Sequence, residues 1–138
     1  MKRILCGALL LAFPWLAHAS KWVYLTNSSA TAQVWIDLES VAKANGGKAV
    51  KAWFLFSDTE EQTQKAYPYK KYKATKQLNY FNCAEKSTAV IQNAFYAGEK
   101  GAGEMVDSFS VSPIAAQYND VIPDTIGELM LKAACQKY

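Results

Sequence analysis

Two features of this sequence could carry chemistry: a pair of cysteines and a segment rich in lysine and tyrosine. The cysteines are Cys83 and Cys135, and a thiol can serve as a nucleophile, a metal ligand or one half of a disulfide. The second feature, hereafter the Lys/Tyr segment, spans residues 65–76. Its candidate partner-binding side chains are Lys65, Tyr67, Tyr69, Lys70, Lys71, Tyr72, Lys73 and Lys76.

The composition of the Lys/Tyr segment supports two interpretations. Lysine supplies a mobile positive charge and tyrosine a rigid amphipathic contact surface, a combination suited to binding a protein or an acidic polymer. No acidic residue occurs between Glu61 and Glu85, so this stretch of sequence is basic. The alternative is a solvated strand edge whose lysines prevent strands of different molecules from pairing.

The first 19 residues have the pattern of a secretory signal peptide. Two basic residues precede an apolar run at residues 4–16, and Ala17 and Ala19 are the small residues that a signal peptidase requires. A membrane-spanning anchor needs about 20 apolar residues, which is more than this run provides. We therefore expect cleavage between Ala19 and Ser20, which leaves one domain at residues 20–138.

Cys6 is the one residue that invites a lipid anchor. A lipidated cysteine follows the apolar run of its signal, whereas Cys6 precedes nearly all of this run. We therefore expect no membrane anchor and an exported protein that is periplasmic or secreted rather than held at the outer-membrane surface.

The sequence that follows residue 19 contains no histidine and no arginine. Its thirteen lysines and twelve acidic residues leave it nearly neutral, and lysine cannot replace the bidentate contacts of arginine with bases, so we expect no nucleic-acid partner. Without histidine there is no Ser-His or Cys-His nucleophile and no histidine-based metal site. Two cysteines in an exported protein favour one disulfide, with two free buried thiols or an intermolecular bridge as the alternatives. We predict no enzyme, no metal and no cofactor.

Asp37 is the only acidic residue placed in an apolar strand, which makes it the candidate acid of a small hydrolase. The interpretation that we favour is a strand-end aspartate that caps a short helical turn at residues 38–43. Asn45, Gly46 and Gly47 then predict a tight connection with positive φ.

The hydrophobic pattern predicts an antiparallel meander of about six strands. A polar stretch at residues 57–64 leads to Pro68, which predicts a loop or a sheet edge. The predicted strands are residues 22–25, 33–37, 48–56, 75–83, 88–96 and 105–111.

A C-terminal helix is predicted at residues 126–136. Thr125 and Glu128 have the spacing of a capping box. One apolar face is expected to lie on the sheet, and its residues are Ile126, Leu129, Met130 and Ala133. Further apolar residues widen this face, so either the sheet curls around the helix or a partner subunit in a homodimer covers the remainder. The predicted fold class is α+β, an antiparallel sheet with the helix packed on it and one disulfide.

The order and spacing of several residues resemble the bacterial surface-adhesin protein E family over about residues 22–135. They are Trp22, the run Val34-Trp35-Ile36-Asp37, Gly46, Gly47, Val50, Trp53, Cys83, Tyr96, Pro123, Thr125 and Cys135. The resemblance implies an antiparallel sheet carrying a C-terminal helix, with a disulfide between Cys83 and Cys135. It also implies adhesion to host matrix or plasma proteins of the vitronectin, laminin and plasminogen class. The alternative is a periplasmic binding or inhibitor protein with no host target.

We predict that the exported protein begins at Ser20 and carries no lipid, because the small residues before this position suit the peptidase and Cys6 lies on the wrong side of the apolar run. Intact-mass measurement of the protein purified from its native host checks this. A mass that includes Cys6 and acyl chains would contradict it.

Overall fold

The computed structural model describes residues 20–138, so the predicted signal peptide at residues 1–19 lies outside the described residues. Within residues 20–138, seven strands form one antiparallel sheet and are followed by a helix, which confirms the predicted fold class. The elements are β1 (Trp22–Asn27), β2 (Ala32–Ala44), β3 (Ala49–Thr63), β4 (Lys71–Asn82), β5 (Ser87–Tyr96), β6 (Met105–Ser110), β7 (Asn119–Asp120) and α1 (Ile126–Cys135).

The sheet is a meander in which strands β1 to β6 lie side by side in chain order. The short strand β7 pairs with the beginning of β5, where Asn119 lies opposite Thr88 and Asp120 lies opposite Ser87. The sequence did not predict β7, because two polar residues show no alternation.

The helical turn predicted at residues 38–43 is wrong, since β2 continues to Ala44. Pairing between β2 and β3 is interrupted between Asp37 and Ala42. In the interruption the Ser40 hydroxyl donates to the Asp37 carbonyl at 2.6 Å and accepts from the Trp53 N–H at 2.9 Å. This side chain replaces the missing backbone hydrogen bonds, so the chain stays extended where a helical turn was expected.

Asp37 does not cap a helical turn as predicted, because β2 stays extended beyond it. Its side chain is 7% exposed, and its Oδ1 accepts from the backbone N–H groups of Lys21 at 2.9 Å and Glu39 at 3.2 Å. A carboxylate used in this way stabilises the backbone around it.

Strand β3 is longer than predicted, because the polar stretch that begins at residue 57 continues the strand to Thr63. Its last residues pair with the start of β4, Gln62 opposite Tyr72 and Thr63 opposite Lys71. Both sides of this extension carry polar residues, which removes the hydrophobic alternation that marks a strand. The glycine turn agrees with prediction, with φ values of 63° at Gly46 and 88° at Gly47.

Helix α1 packs on one face of strands β1 to β4. The phenyl rings of Phe54 and Phe81 lie edge to face at the centre of this core, with centroids 5.8 Å apart. Its other buried members are Ile36, Val41, Val50, Ala52, Met130, Leu131 and Ala134. No helix within residues 20–138 has the length and apolar content needed to cross a bilayer.

The predicted buried face of α1 is wrong in one position. Leu129 is 44% exposed, whereas Leu131 is only 8% exposed. The physical reason is the bond between Cys135 and Cys83. Residues 131 and 135 share one side of a helix, so fixing Cys135 to the sheet turns Leu131 inward and Leu129 outward.

The predicted capping box is not formed as expected. The Thr125 hydroxyl donates to the Ile122 carbonyl at 2.7 Å, so it does not cap the helix. The Glu128 carboxylate accepts from the Asp124 N–H at 3.0 Å and pairs with Lys132 at 3.1 Å. The hydrogen bond from Lys132 and that from Asp124 hold the pKa of Glu128 below its ordinary value.

Reduction of the Cys83–Cys135 bond should lower the melting temperature sharply and loosen α1 first. The two residues are 52 positions apart, and the chain-entropy model gives about 4 kcal/mol for closing a loop of that length. That is close to the whole stability of a marginal domain, roughly 5 kcal/mol. Thermal melts with and without reductant, together with amide exchange in α1, measure both effects. The Cys83→Ser, Cys135→Ser double variant is the control and should melt like the reduced protein. An unchanged melting temperature on reduction would contradict this prediction.

Candidate functional site

The Lys/Tyr segment lies at the end of the sheet farthest from the disulfide. Residues 64–70 form the loop between β3 and β4, and the remainder of the segment belongs to β4. Pro68 lies in this loop, which confirms the prediction of a loop or a sheet edge there. Side chains of the loop are exposed, Tyr67 by 85% and Tyr69 by 58%. In β4, Tyr72, Lys73 and Lys76 are half-buried.

Most lysines of the segment have partners. Lys76 places its Nζ 4.9 Å from the centre of the Tyr96 ring. Three lysines form ion pairs: Lys70 with Asp107 at 3.8 Å, Lys71 with Glu61 at 2.9 Å and Lys73 with Glu99 at 3.5 Å. The hydrogen bond and charge of Glu61 raise the pKa of Lys71 above its ordinary value. The positive charge of the segment is therefore largely neutralised by carboxylates from other parts of the sheet.

A cavity of about 390 Å³ lies between the β3–β4 loop and β6. We call it the aromatic cavity, because its walls include the rings of Tyr67, Tyr72, Phe95 and Phe109. The rings of Tyr72 and Phe95 meet edge to face with centroids 4.9 Å apart, and those of Phe95 and Phe109 are 6.3 Å apart. A cavity of this kind can receive an apolar or aromatic side chain of a partner.

Asp107 holds the loop against β6. Its Oδ2 accepts from Gln64 Nε2 at 3.0 Å, and the loop is closed by a hydrogen bond from the Gln64 N–H to the Lys70 carbonyl at 2.9 Å. The hydrogen bond from Gln64 is the main cause that holds the pKa of Asp107 below its ordinary value, with smaller contributions from Ser108 and Lys70. Asp107 is thus one of the groups that hold this wall of the aromatic cavity in place.

The same groups protect the outer edge of β6, beside which no further strand lies within residues 20–138. Lys70 Nζ donates to the Val106 carbonyl at 2.8 Å, and the Ser108 N–H donates to Asp107 Oδ1 at 2.9 Å. Two backbone groups of the edge are therefore already hydrogen-bonded to side chains. This geometry supports the edge-protecting interpretation for Lys70.

The aromatic cavity is assembled from segments that are distant in sequence. The sequence indicated Tyr67 and Tyr72, but Phe95, Asp107 and Phe109 were placed only in strands. No short-range pattern joins these residues, because the meander brings β5 and β6 beside the loop. Elsewhere in residues 20–138, no three histidine, cysteine, aspartate or glutamate side chains are grouped as metal ligands.

Comparison with known proteins adds the family. The model of the family named Surface-adhesin protein E matches residues 22–136. The chain belongs to this family. No curated protein is significantly similar to it in sequence.

Solved structures of Haemophilus influenzae protein E resemble this Surface-adhesin protein E domain in fold. One structure is 18% identical, with a TM-score of 0.59, and the match covers 83% of this chain and 85% of that chain. Its crystal form II is also 18% identical, with a TM-score of 0.58, covering 83% and 88%. Protein E from non-typeable Haemophilus influenzae is 19% identical, with a TM-score of 0.55, covering 88% and 78%.

Replacing both Lys70 and Asp107 by alanine should free the β6 edge and cause concentration-dependent association, measured by light scattering. The melting temperature should change little, because exposed ion pairs contribute little to stability. The matched control is the Glu61→Ala, Lys71→Ala variant, which removes an ion pair that does not touch β6. A double variant that associates no more than this control would contradict the edge role.

Lowering the pH should also cause the unmodified protein to associate, as measured by light scattering. The pKa of Asp107 in the folded protein lies below its ordinary value of about 3.9. The contacts of its carboxylate are therefore fully present above the ordinary pKa, and they are lost as the pH falls towards the folded pKa. Association should therefore appear only below about pH 4.

Proposed function

We propose that this member of the Surface-adhesin protein E family is an exported, non-catalytic protein that binds a host matrix or plasma protein of the vitronectin, laminin and plasminogen class. The observation that carries the proposal is the aromatic cavity with the exposed rings of Tyr67 and Tyr69 at its margin. The family match supports the general role, and the named partners come from the sequence resemblance.

The tyrosines, rather than the lysines, are the proposed anchors. Tyr67 and Tyr69 lie edge to face with ring centroids 6.1 Å apart, and both are exposed. A tyrosine side chain has few rotatable bonds and so loses little conformational entropy when a partner covers it. By contrast, Lys70 would have to give up Asp107 and the Val106 carbonyl before it could bind a partner.

The geometry disfavours binding by addition of a strand to β6. Two backbone groups of this edge, the Val106 carbonyl and the Ser108 N–H, are already hydrogen-bonded to Lys70 and Asp107. The proposed contact is instead a side chain of the partner inserted beside Phe95 and Phe109, with Tyr67 and Tyr69 closing over it.

Tyr67→Ala and Tyr69→Ala should each weaken binding to immobilised vitronectin, laminin or plasminogen by about fivefold or more, because buried tyrosines are frequent hot spots of roughly 1 kcal/mol and above. Equilibrium binding of the purified variants measures this. The control is Tyr138→Ala, since Tyr138 is also 50% exposed but lies beside Lys43, at the opposite end of the sheet. Melting temperatures of all three variants should match that of the unmodified protein. Equal affinities for all three variants would contradict the proposed site.

The location of the protein in the bacterium and its oligomeric state can also be tested. Fractionation of the native bacterium distinguishes an adhesin, found at the surface or in the medium, from the alternative of a periplasmic binding or inhibitor protein. The homodimer in which a partner subunit covers the remainder of the apolar face of α1 stays a prediction, which light scattering tests.

A further inference from the structure

A second cavity, of about 360 Å³, lies on the face of the sheet that carries α1, beyond the end of the helix. Two rows of paired residues form its floor. In one row Phe56 lies opposite Thr75, which lies opposite Phe95; in the other Gln77 lies opposite Asn93. This floor therefore alternates rings with amide and hydroxyl groups.

The amides of the floor have hydrogen-bonding capacity left over. The Asn93 Oδ1 is buried and has no hydrogen-bond partner within residues 20–138. Gln77 donates from its Nε2 to Asn79 Oδ1 at 2.8 Å, and Asn79 in turn donates to the Thr88 hydroxyl at 3.2 Å. This chain fixes Gln77 and leaves its carbonyl oxygen as an acceptor. A buried carbonyl without a hydrogen-bond partner is unfavourable. A ligand that donates a hydrogen bond to the Asn93 side chain, once its amide has turned towards the cavity, removes this cost.

The charged groups at the margin are already satisfied. Asp58 accepts from the Glu60 N–H at 2.9 Å and from Gln62 Nε2 at 2.9 Å. Lys73 pairs with Glu99 at 3.5 Å. The groups that remain for a ligand are therefore neutral, and a neutral polar ligand fits them better than an ion.

The aromatic side chains determine which shape of ligand the cavity can accept. Phe56, Tyr72 and Phe95 line the cavity and offer flat apolar surfaces next to the polar amides. A sugar ring has the matching chemistry, since its C–H face packs on aromatic rings while its substituents exchange hydrogen bonds with amides. An acetamido group adds one N–H donor and one C=O acceptor, which complement the side-chain amides of Asn93 and Gln77.

We propose that this cavity binds a neutral saccharide, with an N-acetylhexosamine unit over Gln77 and Asn93. Its volume lies within the range of roughly 300–1,000 Å³ found for ligand sites. The saccharide can come from a host glycan or from the bacterial envelope, because both contain this unit.

The test titrates the exported, purified protein with oligomers of N-acetylglucosamine, followed by amide NMR and calorimetry. Saturable shifts are expected at the side-chain amides of Gln77 and Asn93. Asn93→Leu should weaken binding by about tenfold or more, the equivalent of one or more lost hydrogen bonds. Its melting temperature should be unchanged or higher, because the variant removes an unpaired buried oxygen.

The matched control is Gln92→Leu, one residue earlier in β5. Gln92 is half-buried like Asn93 but lines the opposite face of the sheet together with Trp53. This variant should bind the oligomers normally. Thr75→Val is a second variant, used if Asn93→Leu fails to fold. It keeps the shape of the side chain between Phe56 and Phe95 and removes the hydroxyl, so it should also weaken binding.

Soluble peptidoglycan fragments and desialylated host glycans are compared as ligands, and the tighter one identifies the source. Absence of binding by all these saccharides would overturn the proposal, as would equal losses in Asn93→Leu and Gln92→Leu. Tyr67→Ala should leave saccharide binding intact, since Tyr67 lines only the aromatic cavity. Failure of this proposal is thus distinguishable from failure of the proposed protein-binding site.

Discussion

The packing of a short helix on a much longer sheet is the constraint on which the rest of this structure depends. Strand β3 has 15 residues and α1 has 10, which correspond to about 50 Å and 15 Å of length. The helix therefore covers only the part of the sheet around Phe54 and Phe81, where Cys135 is bonded to Cys83. The other half of this face has no helix to bury it, and this is where both cavities occur.

The uncovered half is stabilised by side chains rather than by a second layer. Asp107 joins the β3–β4 loop to β6 through Gln64, while Lys70 and Asp107 together occupy two backbone groups at the edge of β6. On the opposite face, the Lys100 N–H donates to the Ser57 hydroxyl at 2.8 Å and so holds the β5–β6 connection against β3. The two halves of the molecule thus differ in kind: one is a covalently tied core, and the other is a polar and aromatic surface suited to binding.

Sequence reasoning succeeded where a local pattern has a single structural cause. Val34 and Ile36 occupy alternate positions because β2 turns both towards the core, and Gly46 and Gly47 occur where φ must be positive. It failed where a side chain substitutes for the backbone. Ser40 keeps β2 extended through a stretch that was predicted to be helical, and no propensity shows that its hydroxyl will meet Trp53 on the next strand. The aromatic cavity could not be predicted from the sequence for a similar reason, because its rings converge only after β4, β5 and β6 have paired.

The two cavities share a wall, which links their properties. Tyr72 and Phe95 line both, and their edge-to-face contact at 4.9 Å separates one cavity from the other. Because both cavities use the same two rings, a ligand that displaced Tyr72 in one cavity would also reshape the other.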